Sequence, residues 1–156
     1  MIDIAIPGRD PLHLKYLVLD MNGTLALDGQ LLPGVRERLE LLSAQLEIWL
    51  ISADTYGTLS TIAPTLKVTL RRMEPQADTA QKGALIEELG ATQVAAIGNG
   101  ANDADMLRRA ALGIAVLGPE GLAAACLNAT DLLAPNIEAA LDLLLHSRRL
   151  VATLRV

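Results

Sequence analysis

Residues 16–25 read Tyr16-Leu17-Val18-Leu19-Asp20-Met21-Asn22-Gly23-Thr24-Leu25. The uninterrupted apolar run from Tyr16 to Leu19 is what a strand covered on both faces requires. It ends on a carboxylate, Asp20, followed by an Asn-Gly pair that favours a turn. In open α/β sheets ligands bind at the carboxyl ends of the strands. Whatever else follows a strand of this kind is therefore where chemistry is sought.

Working outward, Ile2-Asp3-Ile4-Ala5-Ile6 alternates like a strand, and Pro7 to Pro11 is a turn cluster. With a second strand over Leu12–Asp20, residues 2–20 predict a hairpin feeding the buried strand. Downstream, Pro33 opens a helix on which Val35, Leu39, Leu42 and Leu46 recur at helical spacing. Glu47–Ile51 reads as a strand, Thr55–Ala63 as a helix stopped by Pro64, and Lys67–Leu70 as a short strand. A helix over Thr79–Leu89 ends at Gly90. Val94–Ile97 is a strand, Asn102–Ala111 a helix and Ile114–Val116 a strand. Pro119 starts a short helix, Asp131–Leu133 is a short strand, and Pro135 begins the final helical region. This alternation predicts an α/β fold, a mainly parallel sheet with helices on both faces.

The length of 156 residues fits a single domain, 1–156, and a 51% hydrophobic composition fills its core. With one Trp, two Tyr and no Phe, that core is Leu, Ile, Val and Ala, and no aromatic platform exists for stacking bases. A net charge of -5 and a pI near 4.9 also argue against nucleic acid as a partner. The lone Cys126 cannot build a disulfide framework or a thiolate metal site and reads as a small core residue. Met1 to Asp10 lacks a secretory pattern. The most apolar region, Ala110 to Leu127, is broken by Gly113, Gly118, Pro119, Glu120 and Gly121, whereas a membrane span needs about 20 apolar residues. The expectation is a cytoplasmic protein without a membrane partner.

Four strand or helix ends carry polar groups toward one edge. Asp20 closes the first buried strand. Ser52 follows Leu50-Ile51 and precedes Ala53-Asp54. Lys82 lies in the first turns of the helix before Val94. Asn99 and Asp103 sit in Ile97-Gly98-Asn99-Gly100-Ala101-Asn102-Asp103. A carboxylate can act as a phosphoryl nucleophile. A hydroxyl and an ammonium can hold the transferring oxygens, and a divalent ion can screen two anions forced together. Each group has a plainer reading when taken alone. Lys82 is then a solvated helix lysine, Ser52 a loop serine, and Asp54 a loop hydrogen-bonder. Asp103 becomes an acid favoured beside an Asn102 helix cap. His13 and His146 fit structural or surface roles.

Taken together, these segments resemble the haloacid dehalogenase (HAD) superfamily, and within it the phosphorylation domain of P-type ATPases, above all the stand-alone group called soluble P-type ATPases. Asp20 to Leu25 is similar to the nucleophile loop, and Leu50 to Asp54 to the phosphate-binding stretch. Pro75 to Lys82 resembles the Pro-then-Lys segment, and Gly98 to Ala104 the acidic Gly-Asp-Gly-x-Asn-Asp loop. The likeness runs on through Gly113 to Val116 and covers residues 16–134. It implies a Rossmann-like HAD hydrolase domain with an added N-terminal hairpin. The short gaps between Leu25 and Pro33 and between Ser52 and Lys82 hold no cap domain, so the fold is expected to be capless. By resemblance Asp20 is the nucleophile, and Ser52 and Lys82 bind the phosphoryl oxygens. Asp20, the backbone carbonyl of Asn22, Asn99 and Asp103 face Mg²⁺, directly or through water.

Two positions depart from that pattern. Asn22 stands where phosphatases carry the Asp that protonates the leaving group and activates water, and an amide does neither. Asn99 stands where an anionic metal ligand is usual, and an amide oxygen is neutral. Two functions therefore remain open: a slow Mg²⁺-dependent phosphatase or phosphotransferase, and a non-catalytic module that binds a phosphorylated ligand or a protein partner. An uncapped site suits a large substrate or a neighbouring subunit as lid, and a homo-oligomer built on the hairpin at residues 2–20 is one way to supply it.

Overall fold

The computed structural model describes residues 1–53 and 66–156. Its centre is a six-stranded sheet in the order β10-β9-β8-β3-β6-β7, every neighbouring pair parallel. The strands are β3 (Tyr16–Asp20), β6 (Glu47–Ser52), β7 (Thr69–Arg72), β8 (Val94–Gly98), β9 (Leu112–Val116) and β10 (Leu132–Ala134). β3 lies between β6 and β8, with Leu19 opposite Leu50 on one side and Ile97 on the other. The strand that opened the sequence reading is thus central, and its carboxyl end is flanked by the ends of β6 and β8.

Helices cover both faces. α1 (Val35–Ser43), α5 (Ile137–Leu145) and α6 (Ser147–Leu154) bury Leu39, Leu42, Leu141, Leu144 and Leu150 against Leu17 and Leu19 of β3. α2 (Asp78–Leu89), α3 (Ala104–Arg109) and α4 (Ala124–Leu127) bury Leu85, Ile86, Met106, Leu107 and Cys126 against Val18. Side chains alternate along a strand, so Asp20 shares the face of Val18 and meets α2, the helix that carries Lys82. A bidentate pair from Arg38 to Asp142, at 2.7 and 3.1 Å, clips α1 to α5. Among the described residues no helix is long and apolar enough to cross a membrane.

The expected α/β architecture and N-terminal hairpin are present, with differences of detail. β1 (Ile2–Ile4) pairs antiparallel with β2 (Leu12–Leu14), and the strand expected over Leu12–Asp20 breaks at Lys15. There the backbone changes partners: Lys15 N donates to Gln93 O, and Lys15 O accepts from Glu47 N. The strand expected at Lys67 begins at Thr69. The helix expected at Pro119 is instead a tight turn bridged between Gly118 and Gly121, and helix resumes only at Ala124. A small antiparallel pair, β4 (Ala26–Leu27) with β5 (Gln30–Leu31), fills the gap before Pro33. The expected helix over Thr55–Ala63, and Asp54 with it, lies outside the described residues.

Ile2, Ile4, Ile6 and Leu14 of the hairpin belong to the same core cluster as β3, α1 and α6. Leu14 is wholly buried. Leu14→Ala should therefore cost about 2–5 kcal/mol, as for any core leucine. Urea denaturation measures it, and a loss below about 1 kcal/mol would show the hairpin to be an appendage.

Candidate active site

Asp20, Asn22, Ser52, Lys82 and Asn99 line one cleft of about 250 Å³ at the carboxyl edge of the sheet. Asp78, Asn102 and Glu120 line it too. Asp103 lies just behind, fully buried. The sequence expectation that these groups converge is met in the geometry: Lys82 Nζ stands 2.8 Å from Asp20 Oδ1 and 2.8 Å from Asp103 Oδ1.

Each position follows from a local feature. Asp20 and Ser52 are the last residues of adjacent parallel strands. Lys82 is on the inner face of α2, and its side chain is only 1% exposed. Asp103 ends a 3-10 turn, and its Oδ2 accepts from the backbone N–H of Asn99 and of Gly100, each at 2.9 Å. Both of its oxygens are thus engaged, one by Lys82 and the other by the loop. The helix-cap role expected for Asn102 is not what its side chain does; Asn102 Nδ2 donates to Asp78 Oδ2.

Three site residues escaped the sequence reading. Thr24 is fully buried, and its hydroxyl contacts Asn99 Oδ1 at 2.8 Å and Asp20 Oδ2 at 3.3 Å. Asp78 lies 3.4 Å from Lys82, one helical turn before it on α2, and its Oδ1 is buried without a partner among the described residues. The i,i+4 spacing of Asp78 and Lys82 was a usable signal. Glu120 comes from the turn misread as helix, and no sequence spacing points to it.

The two amides are engaged. Asn22 Nδ2 donates to Ser52 Oγ at 3.3 Å. Asn99 accepts from Thr24 through Oδ1 and donates through Nδ2 to Gly121 O at 3.0 Å. Gly23 permits this loop: its φ of 77° is left-handed, where a side chain is strained.

The electrostatics are unbalanced. Asp20, Asp78 and Asp103 gather around a single ammonium, and Glu120 lines the same cleft. Burial, with the charge of Asp103 added, pushes the Asp20 carboxyl up to about 7 despite Lys82. Burial pulls the Lys82 pKa down, but Asp20 and Asp103 outweigh it and hold it above the ordinary lysine value. The oxygen-only donor set of carboxylates, amide oxygens and backbone carbonyls suits a hard divalent cation. Among the described residues no ready-made group of three His, Cys, Asp or Glu encircles one; the Lys82 ammonium occupies the space between Asp20 and Asp103.

Solved structures place this architecture. The cobalt-bound deoxy-D-mannose-octulosonate 8-phosphate phosphatase of Haemophilus influenzae superposes with a TM-score of 0.70 at 18% identity, over 88% of this chain and 90% of that one. The 3-deoxy-D-manno-octulosonate 8-phosphate phosphatase of Moraxella catarrhalis, in complex with magnesium, phosphate and its sugar, gives 0.66 at 20% identity, over 92% and 94%. A zinc-transporting PIB-type ATPase matches with 0.60 at 21% identity, over 79% of this chain and 20% of the transporter. The fold is that of the HAD superfamily, as the motifs implied. No family model matches the chain. Two uncharacterized proteins of Methanocaldococcus jannaschii do: one is 51% identical over 39 residues, 25% of this chain and 89% of its own length, and the other 46% identical over 63 residues, 40% and 68%. The chain belongs to the family of these two archaeal proteins.

An aspartate whose folded pKa lies above its unfolded value stabilises fully below the unfolded pKa and loses that contribution as pH rises through the folded one. For Asp20 the window runs from 3.8 to about 7. In chelator, Asp20→Asn should therefore match or trail the wild type near pH 4 and exceed it at pH 8, by about 2–4 °C in Tm for each kcal/mol relieved. Thermal scans across pH check this; a variant destabilised at pH 8 would mean that Asp20 is a net stabiliser there.

Proposed function

We propose that the chain is a divalent-metal-dependent phosphohydrolase or phosphotransferase that works through an aspartyl phosphate on Asp20. The observation that carries this reading is the buried Lys82 ammonium, 2.8 Å from Asp20, at a strand-end cleft that also holds Ser52. A structural ion pair has no need to open onto a cleft beside a hydroxyl and a turn. The likeness of fold to phosphatases and to an ATPase phosphorylation domain supports the same class.

Asp20 attacks phosphorus, and the bond to the leaving oxygen breaks. The Ser52 hydroxyl and the Lys82 ammonium bind the phosphoryl oxygens, and Lys82 keeps Asp20 oriented. Mg²⁺ suits the donors Asp20, the Asn22 carbonyl, Asn99 and Asp103, the last through water or after releasing Lys82. When bound, the cation offsets the charge of the phosphoryl group and the carboxylates. That requirement follows from the cleft itself, where one ammonium faces several carboxylates and a dianion would otherwise be repelled. The Asn22 amide gives no proton to the leaving group, so activated phosphates are favoured over alkyl ones.

With Mg²⁺ present, the wild type should turn over an aryl phosphate slowly, or retain label on Asp20 after mixing with acetyl phosphate. Asn22→Asp should raise steady-state turnover at least about tenfold, because general acid–base help is worth about 10²–10⁴. Asp20→Asn should abolish both label and turnover. No label and no turnover in the wild type and in Asn22→Asp would leave a non-catalytic module binding a phosphorylated ligand; an active Asp20→Asn would place the nucleophile elsewhere.

Asn99→Asp should strengthen Mg²⁺ binding by restoring an anionic ligand, at the cost of the amide's bond to Gly121. Titration calorimetry on both proteins measures it, and equal affinity would remove Asn99 from the metal's neighbourhood.

A further inference from the structure

With Asn22 unable to accept a proton, prompt release of Asp20 needs another group to activate water. Among the carboxylates around the cleft, Asp103 is committed to Lys82 and two backbone amides, while Asp78 engages Lys82 and Asn102 through Oδ2 and has its Oδ1 buried away from solvent. Glu120 lines the same cleft and has no hydrogen bond or ion pair among the described residues. Its place is built rather than accidental. Gly118 packs so tightly on Gly23 that a Cβ there would overlap the Gly23 carbonyl. Asn99 Nδ2 holds Gly121 O at 3.0 Å, and Ala123 N donates to Asn99 O at 2.9 Å. The turn from Gly118 to Gly121 is thereby pinned to the nucleophile loop. A Cβ on Gly23 would lie 2.6 Å from Glu120 Oε2, so the carboxylate rests against the residue next to Asn22.

Given the phosphohydrolase reading, we propose that Glu120 is the general base for hydrolysis of the aspartyl phosphate, in place of a carboxylate at position 22. Water attacks phosphorus and the bond from phosphorus to the Asp20 oxygen breaks, its electron pair returning to the Asp20 carboxylate. The water's proton passes to the Glu120 carboxylate as inorganic phosphate forms. Glu120, open to solvent, then releases that proton. The role is confined to the water side of the reaction; protonation of the leaving group stays unassisted.

The test uses the full chain with Mg²⁺, labelled on Asp20 by acetyl phosphate. Glu120→Gln should load at least as fast as the wild type, because acetyl phosphate needs little proton help and one carboxylate facing the incoming anion is gone, and should lose label about 10²-fold more slowly, the low end for general base catalysis. The solvent deuterium isotope effect on label loss should fall in Glu120→Gln, and adding Asn22→Asp should restore the rate. Label lost at the wild-type rate or faster in Glu120→Gln overturns the role of Glu120 alone. Slower loss with an unchanged isotope effect and no rescue assigns Glu120 to structure and also overturns it. A wild type with neither label nor turnover overturns the phosphohydrolase reading, and this role with it.

Discussion

The buried ammonium of Lys82, shared between Asp20 and Asp103, is the interaction on which the rest of the site depends. Desolvating an ammonium costs several kcal/mol unless good partners surround it. Here the partners come from three separate elements: the end of β3, the loop after β8, and α2 itself through Asp78. The charge can be satisfied only when all three are docked. That condition fixes the register of α2 on the sheet and brings the groups of the cleft together. It also explains why the surroundings of Lys82 are close-packed. Gly83 leaves room for the Asp105 carboxylate, which pairs with Arg109, and Arg109 reaches Glu87 to tie α3 alongside α2. The same condition buries Asp20 and sets Asp103 beside it, and the burial first and the neighbouring charge second raise the Asp20 pKa.

How much of this was legible in the sequence depended on whether a residue's role was local. Tyr16 to Leu19, Ile48 to Ile51 and Val94 to Ile97 are apolar without interruption because both faces are covered, and each emerged within a strand at nearly the expected bounds. The site residues that end those strands were legible for the same reason. Lys15 was not: its side chain gives no break signal, and the strand ends there because its backbone is claimed by Gln93 and Glu47, far away in sequence. Pro119 misled because proline suits the first turn of a helix, while the close approach of Gly118 to Gly23 demands a turn instead. Glu120 was invisible for that reason, since its position is set by a contact between loops. Thr24 stood inside the decisive segment, yet its use as a hydroxyl between Asp20 and Asn99 needs the β3–β8 pairing to be known.

The two asparagines change meaning once their partners are seen. As ligands and proton carriers they are losses, since an amide is neutral and does not titrate. As hydrogen-bonding groups they do what an aspartate cannot. An ionised carboxylate only accepts; Asn99 accepts from Thr24 and donates to Gly121, joining the loop after β3 to the turn that carries Glu120. Asn22 donates to Ser52 and so links the ends of β3 and β6. A negative charge of the kind absent from position 99 lies one loop away, at Glu120 within the turn that Asn99 itself holds. Charge and wiring have been divided between residues: amides fix the loops near Asp20, and a carboxylate outside the motif supplies the anion at the rim. Returning an aspartate to position 99 therefore does not simply restore a simpler site. It adds charge beside Asp20 and Asp103, where charge is already in excess, and it releases Gly121, so the gain in cation affinity is set against the freedom of the Glu120 turn.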